Sequence, residues 1–244
     1  MHKPLFNGAC TAMVTPFLDG KINFPMMEIL LKRQIEANIP AVVIAGTTGE
    51  GATLTDGEKI KLYRYSKEIL GEKAIMIAGT GSNCTAHSIA LSIAAENAGA
   101  DAVLIVSPYY NKATPRGLIS HYTAISKAIH IPIILYNVPT RTGIDMPVDV
   151  YAELSKVSNI IGVKEASNDI TKIAKIRNAC GDTFSIWTGN DDQIVPVMSM
   201  GGKGVISVLS NILPAATRNI CTAAQMGDYA SAANMQCQLL PLID

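Results

Sequence analysis

The sequence predicts an α/β fold, a TIM (β/α)8 barrel, from three observations. Eight short apolar runs recur along the chain, segments of helical period separate them, and the runs start about 20 to 33 residues apart, the length of one βα unit. Eight such units within 244 residues match a closed barrel, for which about 250 residues is typical. An open doubly wound sheet would use the same alternation and is the competing topology.

In chain order, strands are expected at residues 9–14, 41–45, 74–78, 102–106, 133–136, 160–164, 184–188 and 204–208. Each is a short apolar run, read as a buried strand. Helices are expected at 25–38, 56–70, 85–98, 115–129, 147–157, 168–179 and 191–200. Asp56, Thr85, Thr114-Pro115 and Asn168 stand at or near N-cap and N1 positions, where a side-chain oxygen can satisfy a free backbone N–H. Two more helical stretches, 214–226 and 228–240, follow the eighth strand. No linker, repeat or low-complexity segment divides the chain, so the expected organisation is a catalytic barrel over 1–212 with a helical segment over 213–244 packed on the same domain.

Composition narrows the function classes. Hydrophobic residues make up 48% and charged residues 16%, which implies a large interior and a lean surface. Lys plus Arg equals Asp plus Glu at 20 each, leaving no global field to attract nucleic acid or an anionic membrane. No apolar run approaches the roughly 18 residues of a membrane span, and the amino-terminal Met1–Asn7 lacks the apolar region of a signal peptide, so a cytoplasmic protein is expected. Cys10, Cys84, Cys180, Cys221 and Cys237 contain no C-x-x-C pair and read as reduced core residues. His2, His87, His121 and His130 have no metal-ligand spacing; neither a metal nor a cofactor is expected.

In a barrel the active face is built by the loops that follow the strands, and here those loops carry reactive side chains. Lys164 closes the run Ile160-Ile161-Gly162-Val163. Strand alternation places Ile160, Gly162 and Lys164 on one face, with Ile161 and Val163 on the other. If the first face points inward, Gly162 leaves space beneath the lysine. In such a partly apolar slot the ammonium loses hydration, and the neutral amine becomes available to attack a carbonyl and form a Schiff base. The competing reading is a strand that ends in a solvated Lys164-Glu165 pair.

The other loops add candidates. Gly46-Thr47-Thr48-Gly49 can bring backbone N–H groups and hydroxyls close to a small carboxylate, or can be an ordinary tight turn. Tyr136 is a phenol at a strand end that can relay protons if a hydroxyl such as that of Thr47 lies within reach. Arg141 offers a planar fork suited to a carboxylate, unless it is merely a surface charge. Tyr109 and Tyr110 project to different sides, and both seldom fit one core; a two-fold dimer in which Tyr110 crosses to the partner would cover the second ring. The chain contains neither G-x-x-x-x-G-K-[ST] nor G-x-G-x-x-G, which argues against a nucleotide site.

Four motifs together, G-T-T-G-E at Gly46–Glu50, S-P-Y-Y-N at Ser107–Asn111, Y-N-V-P-T-R-T-G at Tyr136–Gly143 and G-V-K-E-A at Gly162–Ala166, resemble the dihydrodipicolinate synthase family over almost the whole chain. That family lies within the pyruvate-dependent aldolases, which include N-acetylneuraminate lyase. Arg141 and the pair Thr47-Thr48 favour the synthase branch. The resemblance implies condensation of pyruvate with aspartate 4-semialdehyde, the entry to the diaminopimelate route of lysine biosynthesis. It implies that Lys164 forms the Schiff base and that Tyr136, Thr47 and a neighbouring subunit's Tyr110 make the proton relay. It further implies that Thr48 and Ile206 contact pyruvate, Gly189 lines the pocket, Arg141 holds the semialdehyde carboxylate, and the protein is a homodimer or homotetramer.

Two departures stand out. The chain stops at Pro241-Leu242-Ile243-Asp244 where relatives continue with further helices, so a shortened C-terminal extension is expected, and His87 occupies a position that is acidic in lysine-inhibited relatives. Two other classes compete: a barrel isomerase or synthase gripping phosphate with Gly201-Gly202-Lys203-Gly204, and a non-catalytic ligand-binding barrel.

Overall fold

A computed structural model of the chain describes residues 4–243. His2 and the rest of the amino-terminal Met1–Lys3, together with Asp244, lie outside the described residues. Eight parallel strands close a barrel: β1 (Gly8–Ala12), β2 (Ala41–Ile44), β3 (Ile75–Gly79), β4 (Ala102–Val106), β5 (Ile133–Asn137), β6 (Ile160–Glu165), β7 (Ser185–Thr188) and β8 (Gly204–Ser207), which returns beside β1. Closure rules out the open sheet. The helices between them are α1 (Phe24–Glu36), α2 (Asp56–Leu70), α3 (Thr85–Asn97), α4 (Pro115–Ser126), α5 (Val148–Leu154), α6 (Ile170–Cys180) and α7 (Ile194–Ser199); α8 (Pro214–Gln225) and α9 (Tyr229–Ile243) follow β8.

Alternation along the strands sorts the core into two clusters. Residues such as Ala9, Val42, Val103 and Leu135 point outward and pack beneath the helices, whereas Cys10, Val43, Leu104 and Ile134 fill the barrel. Trp187 is the bulkiest inward side chain, and Phe6 stacks on it with ring centroids 4.7 Å apart, plugging the end of the barrel remote from the reactive loops.

Local chemistry explains most boundaries. Thr55 caps α2 with a full capping box, its hydroxyl accepting from the Glu58 N–H at 3.3 Å while Glu58 Oε2 accepts from the Thr55 N–H at 2.8 Å. Asp56 therefore sits at N1. Asp169, one residue later than expected, caps α6 by accepting from the Thr171 and Lys172 N–H groups. The helix expected at 191–200 begins instead as a 3-10 turn, Asp191–Gln193, before α7. Among the described residues three small elements escaped the periodicity, one of them the 3-10 turn Leu209–Asn211. The hairpin Phe17–Leu18 with Lys21–Ile22 turns on Asp19-Gly20, both at positive φ, as a two-residue hairpin loop requires. The single helical turn Pro139–Thr142 ends at Gly143 in the left-handed region.

The alternation expected in β6 is corrected at its base. A bulge between Ile133 and Ile134 of β5 sets two residues of β6 against one, so Ile160 packs outward with Val163 while Ile161 packs against the inner cluster. Beyond the bulge the inward parity of Gly162 and Lys164 holds. The space at Gly162 is not empty, however: a Cβ there would meet the Ser185 carbonyl oxygen and stand 2.9 Å from Trp187 Cζ3. Glycine lets β7 and the indole approach; the lysine rests on a filled barrel.

Candidate active site

Lys164 and Tyr136 end neighbouring strands in the same register, and both point into the barrel mouth. Lys164 is 4% exposed and Tyr136 6%. The Lys164 amine stands 4.5 Å from the centroid of the Tyr136 ring, whose π face attracts a cation but offers no proton acceptor for an ion pair. No carboxylate among the described residues bridges Lys164. Its adjacent Glu165 is equally buried and turns the other way, so the reading of a solvated Lys-Glu pair is overturned. Lys164 is thus a buried lysine without a carboxylate partner, its amine lying over the Tyr136 ring.

Gly189, at the turn after β7, completes the seat. Its N–H donates to the Glu165 carbonyl at 2.8 Å, and a Cβ there would lie 2.8 Å from Lys164 Cε and 2.7 Å from Ala166 Cβ. Any larger residue would displace the lysine stem. Asp191, two residues on, accepts from the Val208 and Leu209 N–H groups at 3.0 and 2.9 Å, tying the loops after β7 and β8 together.

A cavity of about 780 Å³ opens on the Tyr136 side of this pair, lined in part by Thr47, Tyr109, Tyr136 and Arg141; Lys164, Thr48, Gly189 and Ile206 are not among its lining residues. The turn after β2 is held by hydrogen bonds from the Glu50 and Gly51 N–H groups to the Thr47 and Gly46 carbonyls, and by the Thr15 hydroxyl donating to the Gly49 carbonyl at 2.6 Å. A Cβ at Gly49 would be 2.8 Å from the Met13 carbonyl oxygen, so only glycine lets the turn lie against the end of β1. Thr47 is exposed to the cavity and Thr48 half-buried. Thr47 and Tyr136 share the cavity without a hydrogen bond between them. Arg141 is exposed on the turn after β5. Ile206 is wholly buried in the inner cluster beside Cys10. Tyr110 is 91% exposed with φ at +79°, a strained value for an aromatic residue, while Tyr109 is the ring that faces the cavity.

The cavity extends from Tyr136 to Asp56, Lys59, Asn83 and His87. His87 bridges Asp56 at 2.9 Å and the Ser82 hydroxyl at 3.2 Å. His121 is buried under α3 against the Thr85 hydroxyl, and burial pushes its imidazole down to about 4. Among the described residues no three His, Cys, Asp or Glu side chains gather to hold a metal ion. The proposed phosphate grip is corrected: Gly201–Lys203 precede β8 at the end of the barrel opposite Lys164, where the Gly8 N–H donates to the Lys203 carbonyl, so they cannot hold a ligand at the reactive rim.

The model of the family described as dihydrodipicolinate synthetase matches residues 5–244. The chain belongs to that family. The 4-hydroxy-tetrahydrodipicolinate synthases of Clostridium perfringens (strain SM101) and Thermoanaerobacter sp. (strain X514) are 45% and 47% identical to it, each alignment covering 98% of this chain and 82% and 81% of the relative. The solved 4-hydroxy-tetrahydrodipicolinate synthase of Methylacidiphilum fumariolicum SolV superposes with a TM-score of 0.96 at 39% identity, covering 98% of this chain and 80% of that one. Membership of the dihydrodipicolinate synthetase family accounts for the four motifs and for the barrel that carries them.

The residues that sequence reasoning passed over lie behind the strands. Asn137, Tyr151, Glu165 and Lys172 form a buried polar group outside the barrel, and the one available signal was a charged residue, Glu165, directly following Lys164 at a strand's end.

Proposed function

We propose that the chain is a lyase, a 4-hydroxy-tetrahydrodipicolinate synthase, joining pyruvate to L-aspartate 4-semialdehyde in the diaminopimelate route of lysine biosynthesis. The observation that carries this is the buried, unbridged Lys164 amine above the Tyr136 ring at the mouth of a barrel of this family. The amine adds to the pyruvate carbonyl, water leaves, and the resulting iminium draws electrons from the methyl group, which loses a proton to give an enamine. The enamine carbon then bonds to the aldehyde carbon of the second substrate, the aldehyde oxygen takes a proton, and the semialdehyde's own amine adds to the iminium carbon and expels the Lys164 amine, closing the ring and freeing the enzyme. The Tyr136 phenol carries these protons together with the Thr47 hydroxyl, a reading supported by both side chains lining one cavity. Thr48, Gly189 and Ile206 shape the pyruvate end, and Arg141 holds the carboxylate of the semialdehyde.

We further infer a homodimer or homotetramer. Tyr110 supports it: a ring 91% exposed, held in a strained backbone at the rim, is accounted for if a second subunit covers it and its hydroxyl joins the partner's relay. The five free thiols support a reducing, cytoplasmic setting; among the described residues no helix is long and apolar enough to cross a membrane.

Borohydride reduction in the presence of pyruvate tests the reading. A single adduct is expected, at Lys164; an adduct at Lys112 or Lys203 instead would sink the assignment. Comparing aldehyde acceptors then separates the synthase from aldolases resembling N-acetylneuraminate lyase or a 2-keto-3-deoxy sugar acid aldolase.

A further inference from the structure

The outer face of β5 and β6 carries a polar assembly that the chemistry above does not use. Tyr136 pairs with Lys164 across the two strands, and the next pair along is Asn137 with Glu165. Alternation turns the reactive pair into the barrel and its neighbours outward, under α5 and α6. There Glu165 Oε1 accepts from Asn137 Nδ2 at 2.8 Å and from the Ser167 N–H at 3.0 Å, and Oε2 accepts from the Tyr151 hydroxyl at 2.8 Å. Lys172 Nζ stands 4.0 Å from Oε2 and pairs more closely with Asp145. Asn137 gives its second amide hydrogen to Asp145 Oδ1 at 2.8 Å, and its oxygen accepts from the Met146 N–H at 3.1 Å. One carboxylate thus gathers two strands, two helices and the loops that follow the strands.

A buried ion pair is a weak source of stability, because desolvating the two charges cancels most of their attraction and apolar residues of similar volume serve as well. What it adds is direction, since each hydrogen bond is satisfied in only one arrangement. β6 has need of that. The bulge at its base interrupts the ladder to β5, Gly162 offers no side chain to pack, and Gly189 presents only backbone to the Lys164 stem. We propose that Glu165 is a positioning residue for the Schiff-base reaction: anchored outside the barrel by Asn137, Tyr151 and Lys172, it sets, through the β6 backbone, where the Lys164 amine stands relative to the Tyr136 phenol. Glu165 itself touches no substrate. The inference rests on the function proposed for Lys164.

The test replaces the ionic group by apolar residues of similar size, Glu165→Leu with Tyr151→Phe and Lys172→Met. The triple variant leaves an Asn137 amide hydrogen and the Ser167 N–H without their acceptor, so it is expected to fold with a lowered thermal midpoint, and its kcat to fall on the order of a hundredfold, the loss that a displacement of about 1 Å causes. Pyruvate KM should move by less than about threefold, because the ground-state contacts are untouched. A folded triple variant with kcat within about threefold of the parent overturns the proposal. Should it unfold, Tyr151→Phe decides: kcat down about tenfold with circular dichroism and pyruvate KM unchanged supports positioning, and unchanged kcat overturns it. Glu165→Gln, whose amide oxygen still accepts from Asn137 and Ser167, should rescue most of the turnover, and a loss equal to that of the triple variant also counts against the proposal. Borohydride trapping of the parent separates the two readings. A parent without a Lys164 adduct defeats both, whereas a parent that forms it beside an undiminished variant defeats positioning alone.

Discussion

The two halves of the site are built differently. Lys164 and Tyr136 are buried on strand ends, with the barrel core beneath them and a satisfied polar group behind them; Thr47, Arg141 and Tyr110 stand exposed on loops. The first half is complete in one chain, because its contacts come from the packing that makes the fold. The second lacks the contacts that would hold it, since long side chains in water keep their rotamer freedom until a ligand or a partner orders them. Substitutions in the two halves should therefore fail differently.

The largest effect belongs to the buried half. Lys164→Ala should abolish the pyruvate adduct and reduce turnover by roughly 10⁴-fold or more, with the fold intact by circular dichroism. Persistent borohydride trapping at another residue would remove Lys164 from the mechanism. Next comes the exposed half. Tyr110→Phe should keep fold and assembly while losing on the order of 10²- to 10³-fold in kcat, as expected for a lost proton carrier. Mixing it with Lys164→Ala should restore activity, because one site in the mixed oligomer then has both an intact lysine and a partner's intact tyrosine. Verified subunit exchange without recovery would show that Tyr110 does not act across an interface.

Arg141→Ala sharpens the division between substrates. It should weaken use of the semialdehyde by about 2–3 kcal/mol in kcat/KM while leaving pyruvate adduct formation near the parental rate. Equal damage to both steps would place Arg141 at the pyruvate end. The smallest effect is expected where backbone meets the buried half: Gly189→Ala brings a Cβ to within 2.8 Å of Lys164 Cε, and adduct formation should slow by about tenfold without loss of stability. An unchanged trapping rate would mean that the lysine stem shifts freely, contrary to a preset amine.

The line between what was legible and what was not follows the range of the interactions. Apolar runs and helical periods report on neighbours a few positions away, and they place the eight strands to within about two residues. Asp19-Gly20 was a legible turn signal that periodicity passed over, since the strands it joins have only two residues each. The bulge in β6 left no such mark, because Ile160 and Ile161 are chemically alike and only the pairing with β5 decides which points inward. Glycines 162 and 189 could be read as small but not as fitted, the first to Trp187 and the second to Lys164, because those partners approach through the closed barrel.

By itself the sequence determined the barrel, through a repeat that local propensity and patterning suffice to specify, and it marked Lys164 and Tyr136 at strand ends, and Thr47 and Arg141 in the loops that follow strands, as reactive types. The tertiary structure decided which of them meet. It brought Lys164 and Tyr136 together, left Tyr110 uncovered, moved Gly201–Lys203 to the far end and gathered Glu165, Asn137, Tyr151 and Lys172 from positions up to 35 residues apart. Burial and hydrogen-bond partnership are properties of distance in space, and closure of the barrel alone converts separation along the chain into that distance.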